Sequence, residues 1–180
     1  MNDRHGSNYH VLGEDFAQLS GRSRDTKYDA SLEQVAAVID RHATFPLVEH
    51  RQFLRRVLFC FLTGGEDMHL KNWSLVTRPP RVQLAPACDL LNTTIALRDP
   101  RVESALPLNG RKRTLRRADF TEHLGVGRLR LPAAVVADEM ERLRVASAGW
   151  PAAIAASFLP SALREEYARI VESREALLWA

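Results

Sequence analysis

Three polar side chains near the middle of the chain have the types and spacing that phosphoryl transfer requires. Residues 64–76 read Gly-Gly-Glu-Asp67-Met-His69-Leu-Lys71-Asn72-Trp-Ser-Leu-Val, and a hairpin-sized insert later comes Leu84-Ala-Pro-Ala-Cys88-Asp89-Leu-Leu. A phosphoryl donor needs its charge neutralised, and hard magnesium ions take a few oxygen ligands while keeping several waters. Asn72 and Asp89 offer such oxygens. That leaves Asp67 to orient an acceptor hydroxyl and take its proton, the division of labour in which one Asp is the base while an Asn and a second Asp hold magnesium on the nucleotide phosphates. His69 is placed to order Asp67 or a phosphate, and Lys71 beside Asn72 is either a nucleotide contact or a solvated side chain. Taken singly, each has a plainer reading: Asp67 caps a turn, His69 fills a polar slot, Asn72 adopts a left-handed conformation. Taken jointly, and with the elements around them, they favour the chemical reading.

Those elements must hold three side chains together across more than twenty residues of chain. Ser31, with Gln34 three residues on, is a capping-box start for a helix whose Val35, Val38 and Ile39 recur at helical spacing until about His42. Pro46 suits the first turn of a longer helix, along which Leu47, Phe53, Leu54, Val57, Leu58, Phe61 and Leu62 recur until Gly64-Gly65 stops it. Its second half is apolar nearly all round, which predicts a buried helix. Asp67 then lies on a loop anchored by a rigid element, a usual setting for catalytic groups. Residues 73–76 and 82–84 predict two short strands joined through 77–81, a hairpin that returns Asp89 to Asp67. Residues 105–108 and 114–115 suggest a second hairpin turning at Asn109-Gly110. Upstream, 14–19 reads as a short helical turn and 22–27 as a charged loop. Helical patterns cover 118–124, 132–148, 151–158 and 161–178. With no repeat or composition break, the expectation is a single unit over 1–180, mainly α with small β-hairpins.

Composition narrows the classes. At 46% hydrophobic and 26% charged, the 180-residue chain is neither disordered nor membranous, and its longest apolar cluster, residues 57–62, is far too short to span a bilayer. The start of the chain carries no apolar signal segment, so a cytoplasmic protein is expected. Cys60 and Cys88 lack zinc spacing and read as small packing residues in a reducing compartment. Lys and Arg number 25 against 22 Asp and Glu, a net charge of +3 that favours polyanions only weakly. The cluster Arg111-Lys112-Arg113 with Arg116-Arg117 reads as a solvated face, so direct nucleic-acid binding is not expected. His10 and Glu14 have helical ligand spacing but no third ligand. Trp73 reads as core under the site, while Trp150 and Trp179 pack terminal helices. The last helix is amphipathic, with Leu163, Tyr167, Ile170, Val171 and Leu177 opposite Arg164, Glu165, Glu166 and Arg174. No Gly-x-Gly-x-x-Gly or Walker loop is present.

The string Gly64-x-x-Asp67-x-His69-x-Lys71-Asn72-x-Ser74-Leu75, followed by Leu84-Ala85-Pro86-Ala87-x-Asp89-Leu90-Leu91, resembles the catalytic core of the HipA-type toxin serine/threonine kinases. Glu14-Asp15-Phe16-Ala17-Gln18-Leu19 ahead of a loop ending Lys27-Tyr28, and Leu106-x-Leu108-Asn109-Gly110 with Thr114-Leu115 and Asp119-Phe120 behind, are similar to the same family. The resemblance covers most of residues 10 to 125. It implies a mostly helical, protein-kinase-like C-lobe with Asp67 as catalytic base, His69 beside it, Lys71, Asn72 and Asp89 toward ATP, and Asn72 and Asp89 as magnesium ligands. It also implies protein substrates, aminoacyl-tRNA synthetases among them, and a DNA-binding antitoxin partner. Family members are longer, and their N-terminal half carries the nucleotide-covering loop and the lysine that grips the phosphates. The resemblance therefore implies a lobe that holds ATP weakly or not at all without an N-lobe in trans. Two alternatives stand beside it: a catalytically inactive lobe that binds an antitoxin or another protein, and a small-molecule phosphotransferase of the aminoglycoside or choline kinase type, which shares the Asp-x-His-x-x-Asn spacing.

Overall fold

A computed structural model describes residues 12–97 and 102–179. The chain enters as strand β1 (Leu12–Asp15) and passes directly into the one-turn helix α1 (Phe16–Leu19). Asp15 makes the junction: its carboxylate accepts from the Gln18 backbone N–H at 2.9 Å, and the Gln18 side chain accepts from the Asp15 N–H at 3.0 Å. This capping box starts the helix two residues later than the pattern at 14–19 predicts. Glu14 and Asp15 lie instead in a strand, because they pair with Leu75 and Ser74 far along the chain. His10 lies outside the described residues.

Helix α2 (Leu32–His42) begins at Ser31 with the expected reciprocal bonds to Gln34 and buries Val35, Ala36 and Ile39. Helix α3 (Pro46–Thr63) has Pro46 at its start and ends on Gly64, whose φ of 70° is the left-handed conformation that glycine adopts without penalty. Phe53, Leu54, Leu58 and Leu62 are wholly buried along it. Leu47 is not part of that face; it is exposed in the first turn, ahead of the covered length of the helix. A 3₁₀ turn, Leu70–Asn72, leads into strands β2 (Ser74–Arg78) and β3 (Arg81–Leu84). The sheet is antiparallel in the order β1-β2-β3, with Leu75 opposite Leu84. Both strands run closer to the turn than predicted, leaving Pro79 and Pro80 between them.

Helix α4 (Thr93–Leu97) follows. The second predicted hairpin reduces to one bridge, Leu108 to Arg111, about a turn in which Asn109 and Gly110 both have positive φ. Asp119–Arg128 is a π-helix, longer than the pattern at 118–124 suggests. Gly125 lets it approach the next helix closely, since a Cβ there would sit 2.8 Å from the Val136 side chain. Helices α5 (Ala133–Ser147), α6 (Trp150–Ala155) and α7 (Ser161–Trp179) complete the fold.

α3 is the central element, touched by α2, α5, α7, β3 and the π-helix. Trp73 is buried against Phe53, with ring centroids 4.8 Å apart at a steep angle, and so floors the 3₁₀ turn as expected. Trp150 meets Phe59 edge-on at 5.6 Å, and Trp179 packs half-buried on the core. The inner face of α7 differs from the predicted stripe: Val171, Arg174 and Leu178 are buried and Leu177 is exposed. Arg174 goes inside because two carboxylates await it there. Cys60 is buried as expected, but Cys88 is exposed. The basic cluster is only partly a solvated face, since Arg111 pairs with the buried carboxylate of Asp119. No described helix is long and apolar enough to cross a membrane.

Candidate active site

The site is built from the end of α3. The Gly65 N–H donates to the Cys60 carbonyl at 2.8 Å, and the Gly64 carbonyl accepts from the Thr93 N–H at 3.0 Å, so the diglycine turn is fixed on both sides. One residue on, Glu66 donates its N–H to Thr93 Oγ1 at 2.9 Å and offers its buried carboxylate to Arg174 at 3.1 Å. The same guanidinium reaches Glu103 at 3.1 Å and lies 4.7 Å above the Phe61 ring. The loop is thus pinned from α7 immediately before Asp67. Burial, the largest influence, pushes the Glu66 carboxyl above its usual range, against the pull of Arg174.

From Asp67 the chain makes one tight turn. The His69 N–H is shared between the Asp67 carbonyl at 2.9 Å and Asn72 Oδ1 at 3.2 Å, and the Asn72 N–H returns to the His69 carbonyl at 3.0 Å. Asn72 then donates its Nδ2 to Asp89 Oδ2 at 2.7 Å. The β2–β3 hairpin makes that meeting possible. Buried Glu49 accepts from the Leu84 N–H at 2.9 Å, the Ala85 N–H bonds to the Ser74 carbonyl at 2.9 Å, and the Arg56 guanidinium holds the Ala85 carbonyl. Asp89 itself has a φ of 56°. The hairpin therefore returns Asp89 to the motif, where its bonded partner is Asn72 and not Asp67, the neighbour expected from the sequence.

Of the two roles expected of His69, ordering the Asp67 carboxylate falls to another residue. The His69 Nε2 is bonded to Lys27 Nζ at 2.7 Å, and its ring meets Tyr28 edge-on at 5.1 Å. Asp67 is ordered by Tyr28 instead, whose hydroxyl donates to Oδ1 at 2.6 Å. Burial, seconded by that bond to a carboxylate, pushes the Tyr28 phenol up to about 12, so it stays a donor at neutral pH. Burial and then the Lys27 charge lower the His69 ring below its usual value. Lys71 is exposed and makes no side-chain bond among the described residues. Sequence reasoning missed Lys27, Tyr28, Glu66 and Arg174 as parts of the site. Lys27-Tyr28 stood inside the resembling pattern, but nothing local connects it to residues forty positions later.

As a cation site the pair is open. No cluster of three or more His, Cys, Asp or Glu forms among the described residues, so there is no all-protein cage. Magnesium is commonly held by one or two side-chain oxygens with phosphates and waters completing the shell. The adjacent Asn72 and Asp89 side chains fit that pattern once the Asn72 amide turns its oxygen, now facing the His69 N–H, toward Asp89.

Residues 3–150 match the HipA-like C-terminal domain family. The chain belongs to this family. Among named relatives, "Putative kinase Y4dM" of Sinorhizobium fredii is 42% identical over 82 residues, which is 44% of this chain and 20% of that protein. "Putative kinase Y4mE" of the same organism is 27% identical over 135 residues, covering 69% of this chain and 32% of that one. A Haemophilus influenzae protein with a kinase name is 31% identical over 71 residues, covering 39% and 21%. Among solved structures, the Shewanella oneidensis HipA chain in a complex with HipB and operator DNA superposes with a TM-score of 0.73 at 19% identity, covering 94% of this chain and 44% of that one. The mainly helical fold with a small antiparallel sheet is thus that of the HipA C-terminal region. The stretches matched to this chain span 20% to 32% of the length of these curated relatives.

Proposed function

We propose that this HipA-like domain is the acceptor side of a serine/threonine protein kinase, passing the γ-phosphate of ATP to a protein hydroxyl in the cytoplasm when nucleotide-covering elements are supplied by an N-lobe. The observation that carries the reading is one shared donor: the His69 N–H ties the Asp67 carbonyl to Asn72 Oδ1, and Asn72 in turn bonds Asp89. Asp67 Oδ1 is held by Tyr28, which leaves Oδ2 to orient an incoming hydroxyl and take its proton. Asn72 and Asp89 would hold magnesium, whose charge neutralises the phosphates when bound. The loop's anchorage through Glu66 and Arg174 keeps Asp67 in one place while substrate binds. A toxin role, protein substrates such as aminoacyl-tRNA synthetases and an antitoxin partner belong to the same reading; support for the partner is that the similar HipA was solved with HipB.

The test is transfer of labelled phosphate from ATP with magnesium, using the chain mixed with an N-lobe from a longer relative. Asp67→Ala should reduce the rate by about 10²- to 10⁴-fold, the range for a positioned base. Full activity in that variant would remove the assignment. Asp89→Ala should abolish the magnesium dependence along with the activity.

A further inference from the structure

We infer that Lys27 is a phosphate-binding cation of this site, held in place and left un-neutralised by His69, its ligand being the terminal phosphates of a nucleoside triphosphate. The inference rests on the kinase reading of Asp67, Asn72 and Asp89 and adds to it a residue from outside that set.

Lys27 is not on a loose loop. The Ser23 N–H donates to Thr26 Oγ1 at 2.9 Å, the Asp25 N–H to Ser23 Oγ at 3.2 Å, and the Asp29 N–H to the Thr26 carbonyl at 3.0 Å, so the segment folds on its own side chains. Three further bonds fasten it to the motif: the Leu70 N–H to the Lys27 carbonyl at 3.2 Å, Lys27 Nζ to His69 Nε2 at 2.7 Å, and the Tyr28 hydroxyl to Asp67 at 2.6 Å. The partly buried Lys27 thus places its ammonium on His69, while Tyr28 places its hydroxyl on Asp67.

The choice of partner is informative. An ammonium can only donate, so His69 Nε2 accepts, and the ring is neutral with its proton on Nδ1. A neutral imidazole uses one of the three ammonium N–H groups and cancels none of its charge. Elsewhere Arg174, Arg55 and Arg111 fasten the fold by pairing with the carboxylates of Glu66, Glu139 and Asp119. Lys27 makes no ion pair among the described residues. The ammonium also lies 4.9 Å from the centroid of the Tyr28 ring, whose hydroxyl holds Asp67, and its two remaining N–H groups make no other hydrogen bond among the described residues. A compact point charge with free donors beside a candidate magnesium pair suits phosphate oxygens. A carboxylate in place of His69 would hold the lysine as firmly and spend its charge.

The experiment titrates the 180-residue chain with magnesium tripolyphosphate, followed by NMR of the histidine rings and backbone amides. The wild type should bind in the millimolar range with movement of the His69 ring signals, since its donor partner, the Lys27 ammonium, is drawn to phosphate. Lys27→Met should weaken binding by about tenfold or more, the loss of one charged hydrogen-bond donor, while Lys27→Arg should retain most of it. A native amide spectrum in Lys27→Met, or in Lys27→Gln if the first fails to fold, shows that the fold is kept. Asp89→Ala separates the two ideas. If it loses magnesium-dependent binding while Lys27→Met binds like wild type, the inference about Lys27 is wrong and the kinase reading stands. If the wild type binds no tripolyphosphate, Lys27 is not a phosphate site. If both variants bind like wild type, both ideas fall.

Discussion

Replacing Arg174 by methionine removes the cation that joins α7 to the loop before Asp67. Its guanidinium is 10% exposed and lies 3.1 Å from the carboxylates of both Glu66, 8% exposed, and Glu103. Without it two carboxylates face a buried gap, and removing one partner of a buried pair costs about 3–5 kcal/mol. That is a large share of the stability of a small protein, about 5–15 kcal/mol. Protonation relieves the loss. Burial already raises the Glu66 carboxyl above its ordinary 4.5, the Glu103 charge adds to the rise and Arg174 opposes it, so the variant's carboxyl climbs further. A carboxyl whose folded pKa exceeds its unfolded one contributes stability that is complete below the unfolded value and lost as pH rises through the folded value. The penalty of Arg174→Met therefore grows with pH from about the ordinary carboxyl range upward, by about 1.4 kcal/mol for each unit the folded pKa is raised. Urea unfolding followed by tryptophan fluorescence near pH 5 and near pH 8 measures it, with Arg174→Met/Glu66→Gln as the companion variant. The expected result is a loss of about 3–5 kcal/mol near pH 8, less near pH 5, and partial recovery near pH 8 in the double variant. An equal loss at both pH values, or one below about 1 kcal/mol, would refute the reasoning from buried charge.

Two further outcomes follow from local geometry. Gly64→Ala forces a side chain into a φ of 70° and places its Cβ 2.9 Å from Asn92 Oδ1 and Thr94 Oγ1, so thermal unfolding should show a loss of at least about 1–2 kcal/mol. A melting temperature equal to wild type would mean the turn relaxes freely. Cys88 is exposed, whereas Cys60 is buried and its thiol is pushed up to about 12 by burial, so iodoacetamide should label only Cys88 in the native protein. Mass spectrometry finding Cys60 labelled at a similar rate would contradict the packing of α3.

Much of the scaffold was legible because its signals are local. Ser31 with Gln34, Pro46 and Gly64 mark helix ends by chemistry that acts within a few residues, and the structure places α2 and α3 between them. The return of Asp89 to the motif was legible for the same reason, a short hairpin between two strand patterns, although its partner there is Asn72 and not the expected Asp67. What escaped depends on distant partners. Glu14 and Asp15 become strand only because β2 offers them backbone groups. Arg174 reads as a surface residue until Glu66 and Glu103 are known to converge on it, and His69 reads as a partner of Asp67 until Lys27 and Tyr28 arrive from the far side. The exposure of Cys88 likewise follows from where the segment after β3 runs, which its apolar neighbours conceal.

The left-handed backbone at Asp89 sets stability and retention of the carboxylate against each other. An L-residue with a φ of 56° carries a steric burden of about 1 kcal/mol that glycine does not. A library of variants screened only for survival of heating should accordingly enrich glycine at position 89, and every such winner would lack the oxygen that Asn72 now meets. Directed thermostabilisation of this domain would erode the motif at this position first, unless selection for ligand binding ran alongside.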